Sequence, residues 1–198
     1  IYREDIKGVE NVANPGCFAL LTQLLLYPFR ANIKAANVMA VTGSSGLGKT
    51  PSEGGHHPVR SHNMKSYGVN AHRHMPEILQ TLDMKAARLN FVPTSGPFVR
   101  GIFATAFVAL NHAQPEPHKI YEGQPFIRIK DAPALVDVTG SNFADLSFRQ
   151  GYDDRSMIAQ GVIDNLMKGA SGTAMQNMNL MFGFDEAEGL KSFSPVYP

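Results

Sequence analysis

Asn14-Pro15-Gly16-Cys17-Phe18-Ala19-Leu20-Leu21-Thr22-Gln23-Leu24-Leu25-Leu26-Tyr27-Pro28 sets the only cysteine of the chain directly ahead of an apolar helical run. Pro15 and Gly16 suit a tight turn. Leu20, Leu21, Leu24, Leu25 and Tyr27 give a helix predicted from Phe18 to Tyr27 a face to bury, and Pro28 stops it. A thiol in the first turn of a helix lies beside free backbone N–H groups and the positive end of the helix dipole. Both lower its pKa and make it a nucleophile. The competing reading is a small buried hydrophobe.

Outward from this stretch, Val12-Ala13 reads as a short strand running into the turn, and Asn37–Thr42 as a strand by its β-branched alternation. Residues 43–60 form a long loop rich in Gly, Ser, Pro and His, of a length that in a compact domain is usually functional. A helix is predicted from Pro76 through about Met84, with Ile78, Leu79 and Leu82 on one face. Strands are predicted over 89–92, 102–110 and 126–130. Residues 142–149 and 157–163 pair antiparallel around Gly151-Tyr152-Asp153-Asp154. A last helix runs from about Asn165 to Met181 with Leu166, Ala170, Ala174, Met178 and Met181 along one face. Gly169 and Gly172 allow close backbone approach there, and Gly183 caps the end. No βαβ rhythm is sustained, so the class is α+β, a mixed or antiparallel sheet with flanking helices.

A chain of 198 residues can bury one substantial core. Its formal charge of +1 is scattered, with no two Lys or Arg adjacent, which argues against nucleic acid or an anionic membrane as partner. One cysteine excludes an internal disulfide and suits a reducing compartment. No apolar stretch reaches the ~18 residues that span a bilayer. Ile1-Tyr2-Arg3-Glu4-Asp5 is not a signal peptide and reads as the interior of a longer chain.

Three further patterns carry chemistry. Gly43-Ser44-Ser45-Gly46-Leu47-Gly48-Lys49-Thr50 matches the phosphate-loop pattern after a predicted strand. Pro51, Gly54, Gly55 and Pro58 then oppose the helix that motif requires, so nucleotide hydrolysis is disfavoured. Ser44, Ser45 and backbone amides can still bind a phosphate group. Five of the seven histidines, His56, His57, His62, His72 and His74, lie within nineteen positions. Their spacing is poor for zinc, and no metal site is expected. One of them is instead a candidate acid/base partner of Cys17. His72 and His74 differ from the rest in leading directly into a helix. Arg100, at the start of an apolar strand, is either a surface residue or a bidentate grip on a carboxylate or phosphate.

Together Asn14–Phe18, Ser45–Gly48, Ala71–Ile78, Val99–Ile102, Gly140–Asn142 with Asp145, Ile163–Ala170 and Gln176–Leu180 resemble, in order, the N-acetyl-γ-glutamyl-phosphate reductases of the aspartate-semialdehyde dehydrogenase-like group. A reductase acting on carrier-protein-linked aminoadipyl or glutamyl phosphate is similar. The resemblance implies the C-terminal catalytic and dimerisation domain of a glyceraldehyde-3-phosphate dehydrogenase-like enzyme. Residues 1–163 would form that domain, and 164–198 a helix and tail docking on a dinucleotide-binding domain absent from this sequence. It implies NADP as cofactor, a small-molecule acyl phosphate as substrate, a homodimer or homotetramer, and the cytoplasm. By the same resemblance Cys17 is the nucleophile that forms a thioester. His72 is the acid/base with His74 as the second choice. Arg100, Ser44, Ser45 and Glu77 contact substrate, and Asn165 and Asn177 contact the cofactor. A non-catalytic oligomerisation domain remains the alternative from another class.

Overall fold

The computed structural model describes residues 1–191. Its helices are α1 (Arg3–Ile6), α2 (Cys17–Leu26), α3 (His57–Arg60), α4 (Met75–Leu82) and α5 (Gly172–Phe182). Its strands are β1 (Ile33–Thr42), β2 (Lys65–Ser66), β3 (Leu89–Ser95), β4 (Ile102–Leu110), β5 (Ile127–Ile129), β6 (Ala144–Gln150) and β7 (Ser156–Ile163). They form one sheet in the order β2-β3-β1-β4-β7-β6-β5. The β1–β3 and β5–β6 pairs are parallel and the others antiparallel, so the sheet is mixed.

Alternation along the central strands produces two unlike faces. On β4, Ile102, Ala104, Ala106, Val108 and Leu110 are buried while Phe107 between them is exposed. On β1, Val38 and Ala40 are buried and Met39 is exposed, and a register shift between Ile33 and Ala35 changes the phase at the start of the strand. The buried face carries α2. Every residue of that helix from Phe18 to Leu26 is buried, so it is a core helix rather than the one-faced helix its sequence predicts. It packs on β4, β7 and α4. The opposite face is left open around Met39 and Phe107.

Three expectations are corrected. Val12-Ala13 is irregular: the sheet edges are β2 and β5, and a two-residue segment with no neighbouring strand gains no ladder. The 43–60 loop is not structureless. It holds short helical turns, and the buried Arg60 guanidinium donates to the carbonyls of Thr42 and Gly96 at 2.7 Å, tying the loop to β1. The last helix begins as a π turn over Met167–Ser171, closed by bonds from Gly169 N–H to Asp164 C=O (2.8 Å) and Ser171 N–H to Leu166 C=O (2.9 Å). Its buried side is Gly172, Thr173 and Asn179, while Leu166, Ala170, Ala174 and Met178 face outward. Gly183 ends the helix in the left-handed conformation, as expected. Residues 192–198 of the expected C-terminal unit lie outside the described residues.

Leu25 has no exposed surface at the centre of this packing. Leu25→Ala is expected to cost about 2–5 kcal/mol, read as a lowered urea midpoint with unchanged slope.

Candidate active site

Gly16 is the N-cap of α2 and Cys17 its first residue. The Gly16 N–H donates to a Glu77 carboxylate oxygen at 2.8 Å, which ties the turn to α4. Two glycines let the thiol sit where it does. A Cβ on Gly16 would come 2.2 Å from His74 Nε2, so the imidazole lies flat against the turn. A Cβ on Gly169 would come 2.6 Å from the Cys17 Cβ, so the π turn closes over the cysteine backbone. The amides of Cys17 and Phe18 do stabilise a thiolate, as does the charge of Arg73, but burial outweighs them and the thiol is pushed above its usual pKa. The lowered pKa expected from the helix terminus is therefore not the net result in the resting chain.

His72 and His74 pack beside the Cys17 turn. Both rings meet Phe18 edge-on, with centroids at 5.4 and 6.3 Å, and each other at 4.7 Å. Burial, then its neighbour His72, pull the His74 pKa down to about 4, so this ring is neutral at neutral pH. Its Nδ1 is buried without a hydrogen-bond partner among the described residues. Burial and Arg73 lower the His72 pKa. Tyr67, which sequence reading did not single out, completes the group. Its ring meets His72 at 5.7 Å, and burial together with the Cys17 charge raises its pKa. A tyrosine five positions before a histidine in a loop follows no spacing rule, and only the fold brings the two together.

Behind the cysteine lies a second constellation. The fully buried Asp164 carboxylate accepts from Gly140 N–H at 2.6 Å and from the N–H groups of Leu166 and Met167 at 2.8 Å. It also pairs with Arg100 Nε at 2.6 Å. About a third of the Arg100 side chain stays exposed, so it is anchored on one edge and open on the other. Asn165 accepts Gly101 N–H at 2.6 Å and shares a hydrogen bond with the Ser45 hydroxyl at 3.0 Å. Its amide is thus engaged at both ends inside the protein, and Asn177 donates to Asn14 at 3.0 Å.

Other predicted positions fall elsewhere or serve otherwise. The amides of Ser44 and Ser45 donate to the carbonyls of Phe98 and Val99 at 2.9 Å, so they are not free to cradle a phosphate. No helix starts at Lys49 or Thr50. The two serines instead line an open cavity of about 410 Å³ with Lys49, His56 and His57. Those two histidines and His62 are exposed. Among the described residues no three His, Cys, Asp or Glu side chains form a metal-binding group, and no helix is long and apolar enough to cross a membrane.

Gly169→Ala places a methyl group against the Cys17 backbone and is expected to cost about 1–3 kcal/mol in urea unfolding. Ala170→Ser, one residue on and exposed, should change stability by less than about 0.5 kcal/mol.

The chain has recognisable relatives among known proteins. The family model described as the semialdehyde dehydrogenase dimerisation domain matches residues 17–165. An N-acetyl-gamma-glutamyl-phosphate reductase of Geobacillus stearothermophilus is 41% identical over 99% of this chain and 61% of its own length. A putative [LysW]-L-2-aminoadipate/[LysW]-L-glutamate phosphate reductase of Thermococcus kodakarensis is 39% identical over 100% of this chain and 62% of its own. The chain thus spans about six-tenths of the length of these relatives. Among solved structures, aspartate semialdehyde dehydrogenase II of Vibrio cholerae shares the fold with a TM-score of 0.68 at 16% identity, over 85% of this chain and 61% of that one. With three-quarters of its residues inside the matched model, this chain belongs to the semialdehyde dehydrogenase dimerisation-domain family.

Proposed function

We propose that the chain is the catalytic and subunit-pairing part of a reductase that converts N-acetyl-γ-glutamyl phosphate to N-acetylglutamate 5-semialdehyde through a Cys17 thioester. The observation that carries this reading is a lone cysteine at a helix N-terminus, with two histidines packed on its neighbours and an anchored arginine behind it. Cys17 Sγ adds to the acyl carbon and forms a C–S bond. The C–O bond to phosphate breaks, and phosphate leaves with the electron pair and ends with the thiol proton. The open edge of Arg100 and the Ser45 hydroxyl are the groups proposed to hold substrate oxygens. Glu77, expected at the substrate, is assigned to holding the Gly16 turn instead.

Reduction of the thioester takes hydride from NADPH. Asn165 Nδ2 donates to Ser45 and Asn177 Nδ2 to Asn14, and the second N–H of each amide is the group proposed to contact the cofactor. The cofactor belongs to a dinucleotide-binding domain in the remaining length of the relatives. The outward apolar side of the last helix, with Leu166, Met175, Met178, Phe182 and Phe184 exposed, supports docking of residues 164–191 on it. The open sheet face around Met39 and Phe107 is proposed to pair with a second copy of the chain.

Intact mass after mixing the chain with N-acetyl-γ-glutamyl phosphate and no cofactor tests the reading. A gain of one N-acetylglutamyl group, absent in Cys17→Ser, is expected. No gain by the folded wild-type chain overturns it and turns attention to the carrier-linked substrate named for the Thermococcus relative. Phe107→Asp should convert the chain from dimer to monomer in sedimentation velocity without loss of helical signal.

A further inference from the structure

A cavity of about 640 Å³ lies between α2, the last helix and the stretch before α2, and none of Cys17, His72, His74 and Arg100 lines it. Its volume is that of a small-molecule site. Leu24, Tyr27 and Ile127 give it apolar walls. One group at its wall is out of balance. The Lys168 side chain is only 5% exposed, and its Nζ donates to Gln176 Oε1 at 2.8 Å and stands 5.4 Å from the Phe126 ring centroid. Gln176 and Phe126 both line the cavity, so the ammonium sits at its edge. An ammonium carries three N–H donors, and this one makes no ion pair among the described residues. Glu186 favours its charge, but that carboxylate is already taken by Arg3, whose Nε donates to it at 3.1 Å. The other charged groups around the cavity are paired or exposed: Glu4 binds Lys7, and Asp5 and Ile1 are open to solvent. Burial pulls the Lys168 pKa down only to about 8, so it keeps its proton at neutral pH. Gln176 Oε1 accepts from Lys168 and from Asn142, at 2.8 and 3.4 Å, which turns the NH₂ of the same amide into a second donor at the wall.

We infer that this cavity binds a small carboxylate with an apolar body, its carboxylate received by the Lys168 ammonium and the Gln176 amide and its body by Leu24, Tyr27 and Ile127. Two donors without an acceptor call for an acceptor-only group, and a buried cation short of a counter-charge calls for an anion. The assignment does not depend on the acyl-phosphate reading, since no residue of the Cys17 site takes part.

The test is a titration with 4-phenylbutyrate and with its uncharged isostere 4-phenylbutanamide, followed by NMR of chain labelled with ¹³C at lysine Cε. The Lys168 signal is identified by its loss in Lys168→Met. The carboxylate should saturate below ~10 mM and move the Lys168 signal, and the amide should bind at least about tenfold more weakly. Lys168→Met should bind the two probes alike. Its urea midpoint should be no lower than that of wild type, because an apolar side chain replaces a buried charge without a partner. If the variant does not fold, the wild-type comparison of the two probes decides alone. Equal binding of the two probes to wild type, an unmoved Lys168 signal, or a folded Lys168→Met that still prefers the carboxylate overturns the inference. A carboxylate side chain of the polypeptide could offer the same chemistry. If 4-phenylbutyrate binds this chain but is excluded once the proposed dinucleotide-binding domain is joined to it, that domain fills the cavity and the assignment of a free ligand falls.

Discussion

The Asp164 carboxylate has no contact with water, and four groups from three parts of the chain converge on it. An unpaired carboxylate at that depth would cost several kcal/mol, and the arrangement is tolerable only because each oxygen receives charge-assisted hydrogen bonds. Its position dictates much of the site. At the end of β7 it takes the amides of Leu166 and Met167, which start the chain into the π turn. It receives Gly140 N–H from the loop before β6, and it fixes one edge of Arg100. The next residue, Asn165, binds Gly101 N–H and Ser45, so two adjacent side chains hold the π turn beside Cys17, the arginine and the 43–60 loop in one frame.

The π turn is the geometric consequence that reaches the chemistry. A regular helix from Asn165 would carry its residues past the cysteine in a different register. The i to i+5 bonds of Gly169 and Ser171 widen one turn, and the bare Gly169 backbone then lies against Cys17. The burial this produces raises the thiol pKa even though the helix terminus and Arg73 act to lower it. In the resting chain Cys17 is accordingly a protected thiol.

Much of this was legible in the residues. The β-branched alternation of Asn37–Thr42 and the short apolar runs at 102–110 and 157–163 mark strands, and the apolar run after Cys17 marks a helix. The failure of the phosphate-loop motif was legible for a local reason too: Pro51 and Pro58 cannot serve the helix that motif needs. Val12-Ala13 misled because two β-compatible residues say nothing about whether a partner strand lies beside them. The outward face of the last helix misled in the other direction, since its regular apolar spacing does not reveal which side packs on the domain.

What the sequence by itself determined is most of the local elements, the α+β class, the cysteine at a helix start and a pair of histidines leading into another helix, while the parallel β1–β3 and β5–β6 pairs settled that the sheet is mixed. All of these depend on neighbours a few positions apart. Only the tertiary structure decided that α2 is buried on every side, that Tyr67 joins the histidines, that Glu77 holds the Gly16 turn, and that Asp164 and Asn165 bind the frame around Arg100 and Gly101. Those outcomes depend on which groups the fold brings together, whether five positions apart like Tyr67 and His72 or 64 like Gly101 and Asn165, and on how much water remains when they meet. Neither quantity is encoded in the spacing of residues along a helix or strand.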